Sequence, residues 1–292
     1  MKLIIAGGTG FLGQALEKYF TEKNWEVGIL TRHPQASNHI RWDGYSLGPW
    51  TQELEDSTLL INLCGRSVDC RYTAENKKAI MDSRIKPTRL LHEALARLEQ
   101  PPTLFMNASS ATAYVHSEDL PMTESRGVQG HDFSMTVVRA WEKAFFASEI
   151  EGMRQVALRT SIVLGSSGGA WPKLKWLTRL GMGGQQGNGQ QMVSWIHVDD
   201  FCRALHFIVE NRHLEGIINV TGPTPMTNRA FMQAIRKRFG IPLGLSQPRW
   251  LLELGAWIMR TESELLLKSR YVQPERLEKS GFTWNHSDLS QV

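Results

Sequence analysis

Leu3-Ile4-Ile5-Ala6-Gly7-Gly8-Thr9-Gly10-Phe11-Leu12-Gly13 is the stretch that decides the fold of this 292-residue chain. Leu3, Ile4 and Ile5 make an apolar run too short for a helix, which breaks into glycines before an amphipathic segment begins at Phe11. The pattern predicts a strand, a tight turn and a helix. Gly7, Gly10 and Gly13 stand three residues apart, and each position has a physical use. Gly7 permits the turn, Gly10 leaves room for something to approach the backbone, and Gly13 lets the helix pack closely on the strand.

A helix that begins this way offers free N–H groups and the positive end of its dipole, which suits a pyrophosphate. Glycine turns are common, so position carries the argument: this one directly follows a buried-type strand, and a second strand-like run, residues 25–30, comes one helix later. The reading is a dinucleotide site in which Gly7, Thr9, Gly10, Phe11, Leu12 and Gly13 surround the phosphates. The second strand runs into Thr31 and Arg32. A protein that prefers NAD usually carries an acid here for the ribose 2′-hydroxyl; this chain offers none, and Arg32 can pair with a 2′-phosphate. NADP is the expected cofactor, with NAD second.

The rest of the chain bounds the possibilities. The formal net charge of +4 is small for the length and the cations are scattered, so no nucleic-acid groove is expected. No apolar run reaches membrane-spanning length, and a strand at the second residue leaves no room for a leader, so the expectation is a cytoplasmic protein without a membrane partner. Cys64, Cys70 and Cys202 lack metal-type spacing and read as free thiols, with no metal site expected. Most of the ten tryptophans should be core or cleft wall.

Short strands are predicted at 40–42, 58–63, 103–106 and 155–165, and a long helix over 73–98, interrupted near Pro87. Cys64-Gly65, after the fourth strand, should let backbone approach the cofactor. Alternating strands and helices predict an α/β fold: a doubly wound parallel sheet of Rossmann type, with ligands beyond the carboxyl ends of its strands. The glycine-rich run 181–189 lacks the Lys-Ser/Thr of a P-loop and reads as a mobile loop over a cleft. Residues 195–210 open as Trp-Ile-His-Val-Asp-Asp into a helix, residues 216–220 return to the sheet, and a small, mainly helical lobe follows Pro223. The expected division is a Rossmann domain at 1–165 and 193–222 and a smaller C-terminal substrate lobe at 166–192 and 223–292.

Four motifs in this order, Gly7-Gly-Thr-Gly-Phe-Leu-Gly13, Asn107-Ala-Ser-Ser-Ala-Thr-Ala-Tyr114, Trp195-Ile-His-Val-Asp-Asp200 and Asn219-Val-Thr-Gly-Pro223, resemble the extended short-chain dehydrogenase/reductase family of nucleotide-sugar epimerases and dehydratases. The likeness is nearest to its atypical 39U1-like branch, which carries a C-terminal domain of unknown function similar to residues 273–282, and it covers essentially the whole chain. It implies a Rossmann domain holding NAD(P) under a C-terminal lobe that closes on a small-molecule substrate; a monomer or homodimer is expected. In that family a serine after the fifth strand works with a Tyr-x-x-x-Lys on the next helix, and Ser110 matches the serine. Ser134 and Val138 stand where the tyrosine and lysine belong, and neither can move that proton unaided.

The catalytic expectation is therefore Ser110 with Tyr114, four residues on, as proton partner. His197 and Asp199 or Asp200 are further candidates, each with a bland reading as a helix-entry hydrogen bonder or a helix-terminal charge. The implied activity is an epimerase or oxidoreductase reaction on a small carbonyl or sugar-type substrate. Its rival is an NADP(H)-binding sensor or regulator without turnover.

Overall fold

The computed structural model describes residues 1–166, 168–258, 260, 262 and 264–289. Its strands run β1 (Lys2–Ala6), β2 (Glu26–Thr31), β3 (His39–Arg41), β4 (Leu59–Asn62), β5 (Leu104–Ser110), β6 (Arg154–Thr160), β7 (Ile162–Gly165), β8 (Gly168–Gly169), β9 (Met192–Val193), β10 (Trp195–His197), β11 (Gly216–Val220) and β12 (Met226–Thr227). The main helices are α1 (Phe11–Thr21), α2 (Ala74–Leu95), α3 (Phe133–Phe145), α4 (Trp171–Leu177), α5 (Val198–Glu210), α6 (Asn228–Arg238) and α7 (Arg249–Ile258).

Seven strands form one parallel sheet in the order β11-β6-β5-β4-β1-β2-β3. The chain starts in the middle, winds outward through β2 and β3, then returns past β1 to β4 and out the other side. That reversal between β1 and β4 opens a crevice at their carboxyl ends, where doubly wound sheets bind ligands. The expected fold class holds.

Strand alternation builds two cores from one sheet. Ile5, Ile61 and Met106 face Leu16 and Phe20 of α1 and Phe201 and Leu205 of α5, while Ile4, Leu60 and Phe105 face Leu91 and Leu95 of α2 and Phe145 of α3. Each such side chain, fully buried, contributes roughly 1.5–3 kcal/mol against exposure. Trp171, Trp195, Phe231, Met232 and Ile235 make a separate cluster on the C-terminal side.

Three expectations need correction. The run 155–165 is two strands: β6 stays in the main sheet, whereas β7 leaves it to pair with β10 and β8, because the chain bends at Ser161. Pro87 does not interrupt α2, which is continuous around it. Trp195 to His197 is a strand, and α5 begins at Val198. The glycine-rich run 181–189 is tied down on several sides: Leu245 N–H bonds Gly181 O, Gln247 N–H bonds Gln185 O and Gly187 N–H bonds Gln247 O, all within 2.8–2.9 Å. Its glycines serve left-handed turns (Gly187 at φ +61°, Gly189 at φ +75°) and close backbone approach.

Candidate dinucleotide site

The three fingerprint glycines differ in what surrounds them. Gly7 sits at φ +73°, and a Cβ there would meet Cys64 Sγ at 3.0 Å, so the turns after β1 and β4 touch through this glycine. At Gly13 a Cβ would lie 2.1 Å from Gly8 O, which is how α1 packs onto the turn. Gly10 is the opposite case: nothing lies within 4 Å of its would-be Cβ. It is the N-cap of α1, it supplies no side-chain cap, and the first turn holds no acid. An uncapped helix start with open space in front leaves backbone donors for an anion.

Neighbouring side chains support this turn. Phe11 lies under the β7–β8 hairpin, against Gly165, Gly168 and Gly169, and ties α1 to the small sheet. Leu12 packs on the α1-side core. Thr9 O accepts from Gln14 Nε2. Phe11 and Leu12 can therefore meet a ligand through backbone only. Thr31 is buried and its hydroxyl accepts from His33 N–H, which shapes the end of β2. Arg32 is exposed, has no ion pair among the described residues, and borders a cleft of about 760 Å³ with His33, Arg41, Trp42, Tyr45 and Ser46. Burial pushes the Cys64 thiol up to about 12, with the positive charge of Arg32 pulling the other way. Gly65 is exposed beside Arg84.

On the substrate side the structure separates the candidates. Ser110 ends β5, is half-buried, and accepts from both Thr112 N–H (3.2 Å) and Thr112 Oγ1 (3.0 Å). Tyr114 does not face the cleft. It is 1% exposed, its hydroxyl donates to Asn219 Oδ1 at 2.9 Å, and the Arg159 guanidinium lies 4.7 Å from its ring centre. Burial drives its pKa up against the pull of Arg159. Asn219 in turn binds Glu124 Oε1 and Gln273 O, so Tyr114 is part of a weld between β11 and the chain's last segment. A phenol with its proton already donated inside the protein has none free for a substrate.

Ser134 hydrogen-bonds Asp132 and Glu264, and Val138 is buried in α3. His197 caps α5 through Nδ1, accepting from Asp199 N–H. Asp200 is fully buried and receives Arg203, Asn285 N–H and His286 N–H, fastening the C-terminal segment to α5. His197, Asp199 and His286 bring ligand-type atoms within 4.8 Å of one another. The His197 lone pair is already used as the cap, and the helix presents its positive end there, so the trio is poorly suited to a cation.

Sequence reasoning missed a buried polar ladder. Asn62, the last residue of β4, lies opposite Asn107 in the middle of β5; Asn62 Nδ2 donates to Asn107 Oδ1 (2.7 Å) and to Thr88 Oγ1 (3.0 Å), and Trp141 Nε1 donates to Thr88. The signal was an asparagine directly after each of two short apolar runs, residues 59–61 and 104–106. It missed too the buried pair of Glu142 with Arg159, bidentate at 2.7 and 2.8 Å, to which Ser109 adds its hydroxyl.

A parallel sheet with a crevice at its switch point, and an uncapped glycine-started helix beside it, define a protein of the dinucleotide-binding Rossmann class. Residues 3–221 match the NAD dependent epimerase/dehydratase family, and residues 247–292 match a domain of unknown function, DUF1731. The chain belongs to the NAD-dependent epimerase/dehydratase family. It is 32% identical to the epimerase family protein YfhF of Bacillus subtilis, over 99% of this chain and 95% of that one. It is 30% identical to the epimerase family protein SERP0438 of Staphylococcus epidermidis, over 99% and 96%. Human epimerase family protein SDR39U1 (isoform 2), solved with NADPH, superposes with a TM-score of 0.90 at 28% identity, over 99% of this chain and 97% of that one. No helix among the described residues is long and apolar enough to cross a membrane.

Proposed function

We propose that this protein binds NADP(H) across the crevice between β1 and β4 and uses it in an epimerase- or oxidoreductase-type reaction on a small-molecule substrate. The observation that carries the reading is the α1 start: open at Gly10, uncapped, free of acid, with Arg32, which has no ion pair among the described residues, just past the end of the neighbouring strand. Gly7, Thr9, Gly10, Phe11, Leu12 and Gly13 hold the pyrophosphate, Thr31 and Arg32 border the 2′-phosphate, and Cys64-Gly65 floor the path toward the nicotinamide. NADPH in the human relative supports NADP over NAD. The substrate lobe comprises residues 166–192 and 223–292. When bound, the dinucleotide supplies hydride transfer; the chain supplies its binding, its orientation and a hydrogen bond from Ser110 to the substrate oxygen.

A non-catalytic, NADP(H)-sensing role is favoured by one set of facts: Ser134 and Val138 replace the usual pair, and Tyr114 is committed to Asn219. One experiment separates the readings. Purified protein is screened with carbonyl compounds and nucleotide sugars for NADPH oxidation or NADP⁺ reduction, beside a calorimetric NADPH titration. Turnover that Ser110→Ala lowers at least about tenfold without loss of NADPH binding supports the enzyme. Tight NADPH binding with no turnover across the screen supports the sensor.

A further inference from the structure

Most of the ten tryptophans are buried or half-buried, and the exceptions lie on α4 and α7: Trp176 is 60% exposed, and Trp250 and Trp257 are 65% exposed each. Leu180, Leu243 and Leu245 are also more than half exposed. Single exposed apolar residues are ordinary, whereas a connected set marks a contact surface. Backbone contacts connect these. Trp176 stands one turn before Leu180, where Thr178–Met182 continues α4. The next residue, Gly181, accepts from Leu245 N–H at 2.8 Å, and a Cβ on Gly244 would lie 2.7 Å from Gly183 C. Gln247 Nε2 then donates to Met182 O at 2.6 Å, two residues before α7 begins. On α7, Trp250, Leu254 and Trp257 recur at helical spacing along one exposed stripe, while Leu252 and Ala256 are buried opposite. Only Arg249 and Glu253 of its ten residues are polar, and they pair with each other at 2.7 Å. A helix apolar on both faces is normally covered on both.

The same region concentrates positive charge. Residues 171–191 and 228–258, which build it, hold eight lysines and arginines against one acid, Glu253. The whole chain nets only +4, so the remainder of the molecule is acidic overall. Some of these cations are occupied: Lys173 pairs with Asp69, and Arg229 bonds Gln185. Others border the apolar residues directly. Arg236 Nη1 donates to Gly183 O at 2.6 Å, and its Cδ lies 2.8 Å from the would-be Cβ of Gly244, between Leu243 and Leu245. Lys175 and Arg179 flank Trp176 and Leu180 in sequence and lie 5.9 and 5.5 Å from the centre of the Phe239 ring, just past the Arg236-Lys237-Arg238 end of α6.

We propose that this surface docks the protein on an anionic lipid bilayer, with the exposed leucines and tryptophans entering the headgroup boundary and the cations around them facing lipid phosphates. A second copy of the chain, apposed through the same face, would set like charges against one another. An acidic bilayer meets both halves of the surface: it offers apolar depth to leucine, an amphipathic boundary to indole, and negative charge to the lysines and arginines. The contact is peripheral, since no helix among the described residues is long and apolar enough to cross a membrane. It departs from the expectation of no membrane partner, which was drawn from the lack of long apolar runs; a surface contact needs only a short exposed apolar face.

The test is co-sedimentation of the full-length protein with phosphatidylcholine vesicles made with and without phosphatidylglycerol, at low and at physiological salt. The expected result is binding that requires phosphatidylglycerol and weakens as salt rises. Leu243→Ser with Leu245→Ser, and separately Trp250→Gln with Trp257→Gln, should each lower the partition coefficient about tenfold or more. Lys237→Gln should lower it about fivefold. The two double variants change exposed side chains on different segments, so one remains informative if the other folds poorly, and thermal melts identify which. Wild type that stays in the supernatant beside anionic vesicles overturns the proposal. Binding that both double variants retain at wild-type strength also overturns it, because charge alone would then account for the contact. Sedimentation velocity without vesicles supplies the last outcome: a wild-type dimer that Leu243→Ser with Leu245→Ser dissociates gives this face to a second copy and overturns the lipid assignment.

Discussion

Replacing Gly10 with valine separates binding from folding more cleanly than any other change in the fingerprint. The backbone at Gly10 has φ −86° and ψ −179°, an extended conformation that a β-branched residue adopts without strain, and its would-be Cβ meets nothing within 4 Å. The ligand-free protein should lose no more than about 1 kcal/mol from the poorer N-cap. In the proposed binding mode, however, a bound pyrophosphate occupies that open space. Displacing it from even two backbone donors forfeits about 1.5–3 kcal/mol each, so dinucleotide affinity should fall about a hundredfold or more. Gly13→Val is the internal contrast: its Cβ would sit 2.1 Å from Gly8 O, so that variant should fail to fold stably. Calorimetric titration with NADPH and thermal melts of the ligand-free proteins read the two effects independently. A Gly10→Val protein that melts like wild type and binds NADPH as tightly would refute the placement of the pyrophosphate.

Arg32→Ala should weaken NADPH about ten- to a hundredfold and leave NADH nearly unchanged, because one charge-assisted pair with the 2′-phosphate is lost; equal losses for both cofactors would show that Arg32 contacts something common to them. Tyr114→Phe strips the donor from Asn219 Oδ1 in a buried network and should cost about 1–3 kcal/mol of stability while NADPH affinity holds; an unchanged urea midpoint would contradict that role. Burial, and then the charge of the stacked His286, holds His197 below its ordinary value of 6.5. The unfolded chain therefore takes up the proton first, and the stability that neutral His197 contributes is complete above about pH 6.5 and lost as the pH falls through it. Melting temperatures between about pH 7.5 and 5.5 should drop less in His197→Asn, which keeps a capping side chain, than in wild type; parallel curves would assign the acid sensitivity elsewhere.

The parts of this molecule legible in the sequence were those governed by local rules. An apolar run ending in spaced glycines can fold in few ways, so β1, the turn and α1 were readable, as was the parallel sheet that follows from repeated strand–helix alternation. Chain reversals were harder: nothing in residues 155–165 marks Ser161 as the place where β7 abandons the main sheet, because pairing with β10 is decided more than thirty residues later. Pro87 reads locally as a break, yet packing of α2 against the sheet and α3 keeps the helix continuous. Side-chain roles were least legible, because they depend on which distant groups meet. Tyr114 looks available from its position after Ser110, and only the arrival of Asn219 on β11 shows its proton committed.

The central claim, that the β1–β4 crevice is an NADP(H) site, is tested most directly by titrating wild-type protein with NADPH and with NADH under identical conditions. The account predicts one saturable site per chain for NADPH, tighter than NADH by about tenfold or more at moderate ionic strength. Equal affinity for the two would contradict the assignment of Arg32 to the 2′-phosphate, and binding of neither would contradict the site itself.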